Sequence, residues 1–225
     1  GEGSTKQFGL CGNTERRFGK FVVNLGGMIE HEPSKLDDLG FSPRAGVKYR
    51  MTANTSIRAL LSKSVRTPDI LEHDRNWNYR VDSTEPNQLD GEYSKYFYFN
   101  SQSDGEVDSE EILARELSLY HSSAIRLETG RLIQSFDFKV FHNDLDNLVS
   151  EKLRFFDYNP TNDGEVQLSG FEFEADLKFK DYFFPKYIEY VLAHVNYAYI
   201  DNDTDEFYET SLHADHSGAA YLIAR

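Results

Sequence analysis

The sequence predicts an all-β protein, an antiparallel meander of about eight long strands belonging to a transmembrane β-barrel. Three observations carry that prediction. Apolar and polar side chains alternate with a period of two along most of the chain. The alternating runs are long, several beyond about 12 residues, where globular strands usually run about 5–6. Short turns and long polar connections follow one another in alternation.

Taken in order, the runs cover residues 17–31, 42–51, 55–66, 110–121, 131–143, 165–180, 186–200 and 217–225, with 1–16 read as a loop or linker ahead of them. The second run puts Pro43, Ala45, Val47, Tyr49 and Met51 on one face and Arg44, Gly46, Lys48 and Arg50 on the other. In the sixth, Phe171, Phe173, Ala175, Leu177 and Phe179 alternate with Glu172, Glu174, Asp176 and Lys178. Successive strand side chains point to opposite faces, so each run has an apolar wall and a charged wall; a helix would scatter the same residues around its circumference. Residues 51–54, 122–130 and 181–185 make short connections. Residues 67–109, 144–164 and 201–216 are long and polar. Long loops at one end and short turns at the other suit an outer-membrane barrel. A water-soluble sandwich or barrel also alternates, but strand length and turn asymmetry favour the membrane.

Composition narrows the function. The chain has 24 basic and 38 acidic residues, a net charge of −14, which argues against a nucleic-acid partner, since that binding rests on Lys and Arg neutralising phosphates. The lone Cys11 excludes an internal disulfide and a cysteine-rich zinc site. A mean hydropathy of −0.60 suits a soluble protein and equally a barrel whose strands turn one face to a polar lumen. No nucleotide, dinucleotide or Gly-x-Ser-x-Gly motif occurs, and no cofactor is expected.

Several short motifs then stand in a telling order. Ser42-Pro43-Arg44 opens one strand. The next ends in Arg66-Thr67-Pro68. After a long loop come Glu110, Glu111 and the pair Glu116-Leu117, then Asp163-Gly164 and Gly170-Phe171-Glu172, and finally residues 216–222. This order resembles the barrel of TonB-dependent outer-membrane receptors over residues 17–225. The resemblance implies a barrel of about 22 strands, of which this chain supplies a part, and a location in the outer membrane of a Gram-negative bacterium, against lipid. It also implies uptake of a scarce nutrient such as a siderophore, metal chelate, vitamin or oligosaccharide. The TonB complex would act through a plug domain, which is not visible in this sequence. A natural eight-stranded barrel is the competing architecture, and a soluble all-β carbohydrate-binding or glycoside-processing protein the competing function.

Candidate site residues fall into two groups. Arg44, Lys48, Arg58, Glu116, Glu172, Glu174 and Asp176 sit on polar strand faces and are expected to line the lumen, since lipid forbids a charged row on the other side. Val23, Leu25, Val47, Tyr49, Ile57, Leu61, Phe173, Leu177, Val191 and Val195 are expected to face lipid. In the loop 67–109, Trp77, Tyr79, Arg80, Tyr93, Tyr96 and Tyr98 form an aromatic-rich set suited to gripping a ligand. The same residues also suit a self-packed hairpin with 96–99 as a short strand. Glu172 and Glu174 stand about 6.5–7 Å apart on one strand face, within the spacing of an inverting glycosidase pair. Asp176 continues the row, which reads as a wall rather than a catalytic pair. His213-Ala214-Asp215-His216 and Asp201, Asp203 and Asp205 offer metal-ligand atom types, but neither matches an established metal motif.

Overall fold

The computed structural model describes residues 8–31, 39–68, 76–82, 96–102, 107–153, 157–181, 187–204 and 214–225. Every regular element among them is a strand: β1 (Phe8–Phe18), β2 (Phe21–His31), β3 (Leu39–Arg50), β4 (Thr55–Arg66), β5 (Asn76–Asp82), β6 (Tyr96–Gln102), β7 (Glu110–Leu127), β8 (Gly130–Leu153), β9 (Asp157–Lys180), β10 (Tyr190–Thr204) and β11 (His216–Ala224). The sheet runs β1-β2-β3-β4-β7-β8-β9-β10-β11, each strand antiparallel to the next. The hairpin β5–β6 stands off this path and touches β9 through two parallel residue pairs, Asn100↔Asp157 and Ser101↔Tyr158. It is a side contact, and the meander itself contains no parallel crossover.

Several boundaries differ from the sequence reading. β7 runs on to Leu127, so the connection expected over 122–130 shrinks to a tight turn at 128–129, and the expected loop 67–109 holds the strands β5 and β6. Residues 8–18 form a strand of their own, hairpinned onto β2, where a loop or linker over 1–16 was expected. Gly19 takes φ 58° in the turn between them, a conformation glycine adopts without a Cβ penalty. Residues 144–164 are largely strand: β8 and β9 continue through them as one long hairpin, with register shifts between Leu145 and Ser150. Asn, Asp and Gly in that stretch suggest a loop by composition, yet the ladder between the two strands continues through it. Likewise β10 continues to Thr204.

The register decides where the side chains go. Lys48 pairs with Arg58, Leu60 with Glu116, Ser118 with Lys139, and Lys139 with Glu172. Because direct partners share a face, one face carries Arg44, Lys48, Arg58, Glu116, Glu172, Glu174 and Asp176 from β3 to β9. The other face carries apolar stripes at residues 21–29, 41–49, 132–140, 171–179 and 191–199. Each stripe is about the length, 9–11 residues, that a tilted strand needs to cross a bilayer.

Very little of this sheet is buried. Among the described residues the buried apolar side chains are Pro68, Val107, Val166 and Ala175, while Phe21, Leu25, Val47, Leu61, Leu117, Phe138 and Val195 are exposed on the apolar face. Aromatic rings gather at both ends of the stripes. Phe21 meets Tyr49 at 4.8 Å beside the short turns, and Phe171 meets Phe138, Tyr197 and Tyr199 at 5.8–6.0 Å toward the long connections.

Two glycines, Gly130 and Gly170, sit hard against a neighbouring strand's backbone. A Cβ at Gly170 would lie 2.2 Å from the Tyr199 carbonyl oxygen and 2.8 Å from the Phe141 ring. We expect Gly170→Ala to destabilise the folded sheet by about 1–3 kcal/mol, read as a lower unfolding temperature on heat-shift gels. The neighbouring Ser169→Ala should cost less.

Candidate functional site

The charged face is segregated by sign. Over β3 and β4 it is basic, with Lys48 directly opposite Arg58 and Arg44 on the same row. These three line a cavity of about 660 Å³ together with Asn13, Glu15 and Asn24. Gly26 and Gly46 in its wall leave that space open by having no side chain. Over β8, β9 and β10 the face is acidic. Asp137 stands directly opposite Glu174, and Lys139 Nζ contacts Glu172 Oε2 at 2.7 Å. A recess of about 320 Å³ opens there beside Asn196 and Ala198.

Toward the long connections, an ion pair ties three strands together. Arg66 at the end of β4 donates to Glu110 at the start of β7, and the Val149 amide of β8 donates to the other Glu110 oxygen at 2.9 Å. Pro68, just past Arg66, is fully buried. Burial alone pushes the Glu110 carboxyl up, but the Arg66 hydrogen bond, the Val149 amide and the Arg66 charge together hold it below its ordinary value. A depressed carboxylate contributes stability that is present above its unfolded pKa and lost as pH falls through the folded one. At neutral pH Glu110→Gln should therefore be less stable by about 1 kcal/mol, given the half-exposed Arg66, and so unfold at a lower temperature. The gap to the parent should close as pH drops below about 4.5. A gap independent of pH would show that the ionised carboxylate is not what matters.

The sheet order, the opposed faces and these motif contacts coincide with a family match. The β-barrel family described as TonB dependent receptor-like matches residues 1–220. The chain belongs to that family. Two solved structures share the fold. The FrpB iron transporter from Neisseria meningitidis (F3-3 variant) aligns at TM-score 0.56 and 13% identity over 88% of this chain and 26% of its own. The siderophore receptor PirA from Pseudomonas aeruginosa aligns at TM-score 0.60 and 13% identity over 89% of this chain and 35% of its own. The chain thus spans about a quarter to a third of those structures. A search of curated proteins finds no match.

Within this TonB-dependent barrel the motif residues acquire physical roles. Pro43 has no amide to donate to the ladder, and the paired register of β3 with β4 ends beside it, at Arg44↔Ser62. The Ser42 hydroxyl there accepts the Val65 amide at 3.1 Å, which continues the link. Gly170 of the Gly-x-Glu motif is the close-approach position already described.

The candidate loop residues divide. Trp77, Tyr79 and Arg80 lie on β5, and Tyr96 and Tyr98 on β6, with Arg80 opposite Tyr98 and Tyr79 opposite Phe99. Tyr93 lies outside the described residues, as do His213 and Asp205. His216 is engaged by the Tyr197 hydroxyl at 2.7 Å, within the aromatic cluster of the apolar face.

Two sets escaped the sequence reading. On the apolar face, beyond the stripes, Lys63 bonds Glu111 at 2.7 Å, while Arg115 and His142 both bond Asp144. On the charged face, His194 joins Glu174 and Asp176. Neither shows in a single strand's pattern; both need the register between strands.

Proposed function

We propose that this chain is a section of the wall of an outer-membrane receptor that imports a scarce, chelated nutrient, of the iron-siderophore kind. The partition of the sheet carries the reading. An apolar face of bilayer length, ringed by aromatics and left uncovered, backs onto a face of charged rows. In this reading the apolar face meets lipid and Arg44, Lys48, Arg58, Glu116, Glu172, Glu174 and Asp176 meet the lumen. The segments 67–109, 144–164 and 201–216 stand outside the cell, and Trp77, Tyr79, Arg80, Tyr93, Tyr96 and Tyr98 contribute to ligand binding. The cargo class is supported by the two structural neighbours, an iron transporter and a siderophore receptor by their descriptions. The TonB complex would supply the energy through a plug domain. A catalytic role for Glu172 and Glu174 is disfavoured, since Glu172 is tied to Lys139 and the pair opens onto no enclosed cleft.

Cell fractionation and uptake test the proposal together. The intact protein should be recovered in outer membranes, and a strain lacking it should lose uptake of one ferric chelate, as should a strain lacking TonB. Recovery in a soluble fraction, with binding to glycans, would establish the soluble alternative instead.

A further inference from the structure

We propose that Glu174, Asp176 and His194 form a binding site for a divalent first-row transition-metal cation on the charged face of the wall. One ligand atom from each residue lies within 4.8 Å of the others. Asp176 is in register with His194 across β9 and β10, and Glu174 is two residues along the same face of β9, so regular strand geometry fixes all three.

His194 Nδ1 stands 2.8 Å from Asp176 Oδ1. Two ligands bonded at about 2.1 Å to one octahedral ion, at a right angle, lie about 3.0 Å apart. The hydrogen-bonded pair is thus already spaced as neighbouring ligands of a metal. Its orientation is fixed from outside: the His194 ring stacks on Tyr221 at 4.6 Å, and the Ser135 hydroxyl reaches Asp176 Oδ2 at 3.4 Å. The His194 side chain is 10% exposed, while Glu174 is exposed, so an ion could enter from the Glu174 side, where the 320 Å³ recess opens.

The surrounding charge asks for a cation as well. Asp137 directly faces Glu174, a like-charge pairing that is destabilising by itself. The two lysines of this face nearest the cluster are engaged elsewhere, Lys139 on Glu172 and Lys178 over the Tyr190 ring at 3.9 Å. Two carboxylates and one imidazole suit manganese, iron(II) or zinc and give little reason to hold calcium, which prefers oxygen alone.

The site depends on the strand register and not on the identity of any cargo. Its test uses the intact receptor in detergent, stripped with chelator and titrated with manganese(II) alone while the signal of free manganese(II) is followed by electron paramagnetic resonance. The parent should take up one equivalent that His194→Gln and Asp176→Asn bind at least tenfold more weakly. Glu172→Gln, altered on the same face but tied to Lys139, should bind as the parent does. Heat-shifted gel mobility confirms that each variant is folded. If both site variants hold manganese(II) as tightly as the parent, or if a folded, outer-membrane-located parent takes up none at millimolar concentration, the site is overturned and the receptor reading stands.

Discussion

Val195→Arg should cost about 2–4 kcal/mol and sharply reduce assembly of the protein into outer membranes. Val195 sits at the centre of the stripe 191–199 and is 41% exposed, opposite Ala175 on β9. In a soluble sheet with that exposure, an arginine would reach water at little cost. At a bilayer midplane it must drag its charge through hydrocarbon or thin the membrane around it. Ala198→Arg is the companion variant. It points to the other face, into the 320 Å³ recess beside Glu172, and should change stability by less than about 1 kcal/mol. Unfolding of both from lipid vesicles in denaturant gives the comparison. Equal costs for the two substitutions would contradict the assignment of faces.

Deleting residues 76–100 should abolish binding of the chelate by the intact receptor while leaving its outer-membrane assembly intact. That segment holds β5 and most of β6, whose ladder outside the hairpin, among the described residues, is the two-pair contact with β9. The meander closes β4 directly onto β7 without it, over the full register from Thr55↔His121 to Arg66↔Glu110. Removing the hairpin therefore leaves every strand of the wall its neighbours. It takes away Trp77, Tyr79, Arg80, Tyr93, Tyr96 and Tyr98, the large amphipathic contacts a compact chelate would meet. Unchanged affinity would place binding elsewhere, and failed assembly would make the hairpin structural.

The strands best read from sequence are those whose environment differs most between their two sides. Residues 171–179 alternate without exception because one side is apolar throughout and the other charged, and β9 lies as expected there. The same contrast separates Val47 and Tyr49 from Lys48. It fades where both faces meet polar surroundings. Hence Asp144 to Asn147, in the upper part of β8, reads as a loop although it is paired strand for much of its length. In β1, Gly9, Cys11, Gly12, Asn13 and Thr14 give no alternation to follow; the strand is defined by its pairing with β2. Of the candidate sites, the charged rows were legible because each lies within one strand. The triad was not, because His194 joins Asp176 only through a register set across the connection after Lys180.

The most direct test of the wall is collision accessibility of nitroxides placed along β9 and β10 in the intact receptor in lipid vesicles. Labels at Phe173, Leu177, Val191 and Val195 should relax with oxygen, which concentrates in hydrocarbon, and be shielded from a water-soluble nickel chelate. Labels at Glu172, Glu174 and Asn196 should not share that preference. Residue-by-residue alternation of the two responses is the expected result. Nickel access at Val195 equal to that at Asn196, with no oxygen preference on either face, would contradict it.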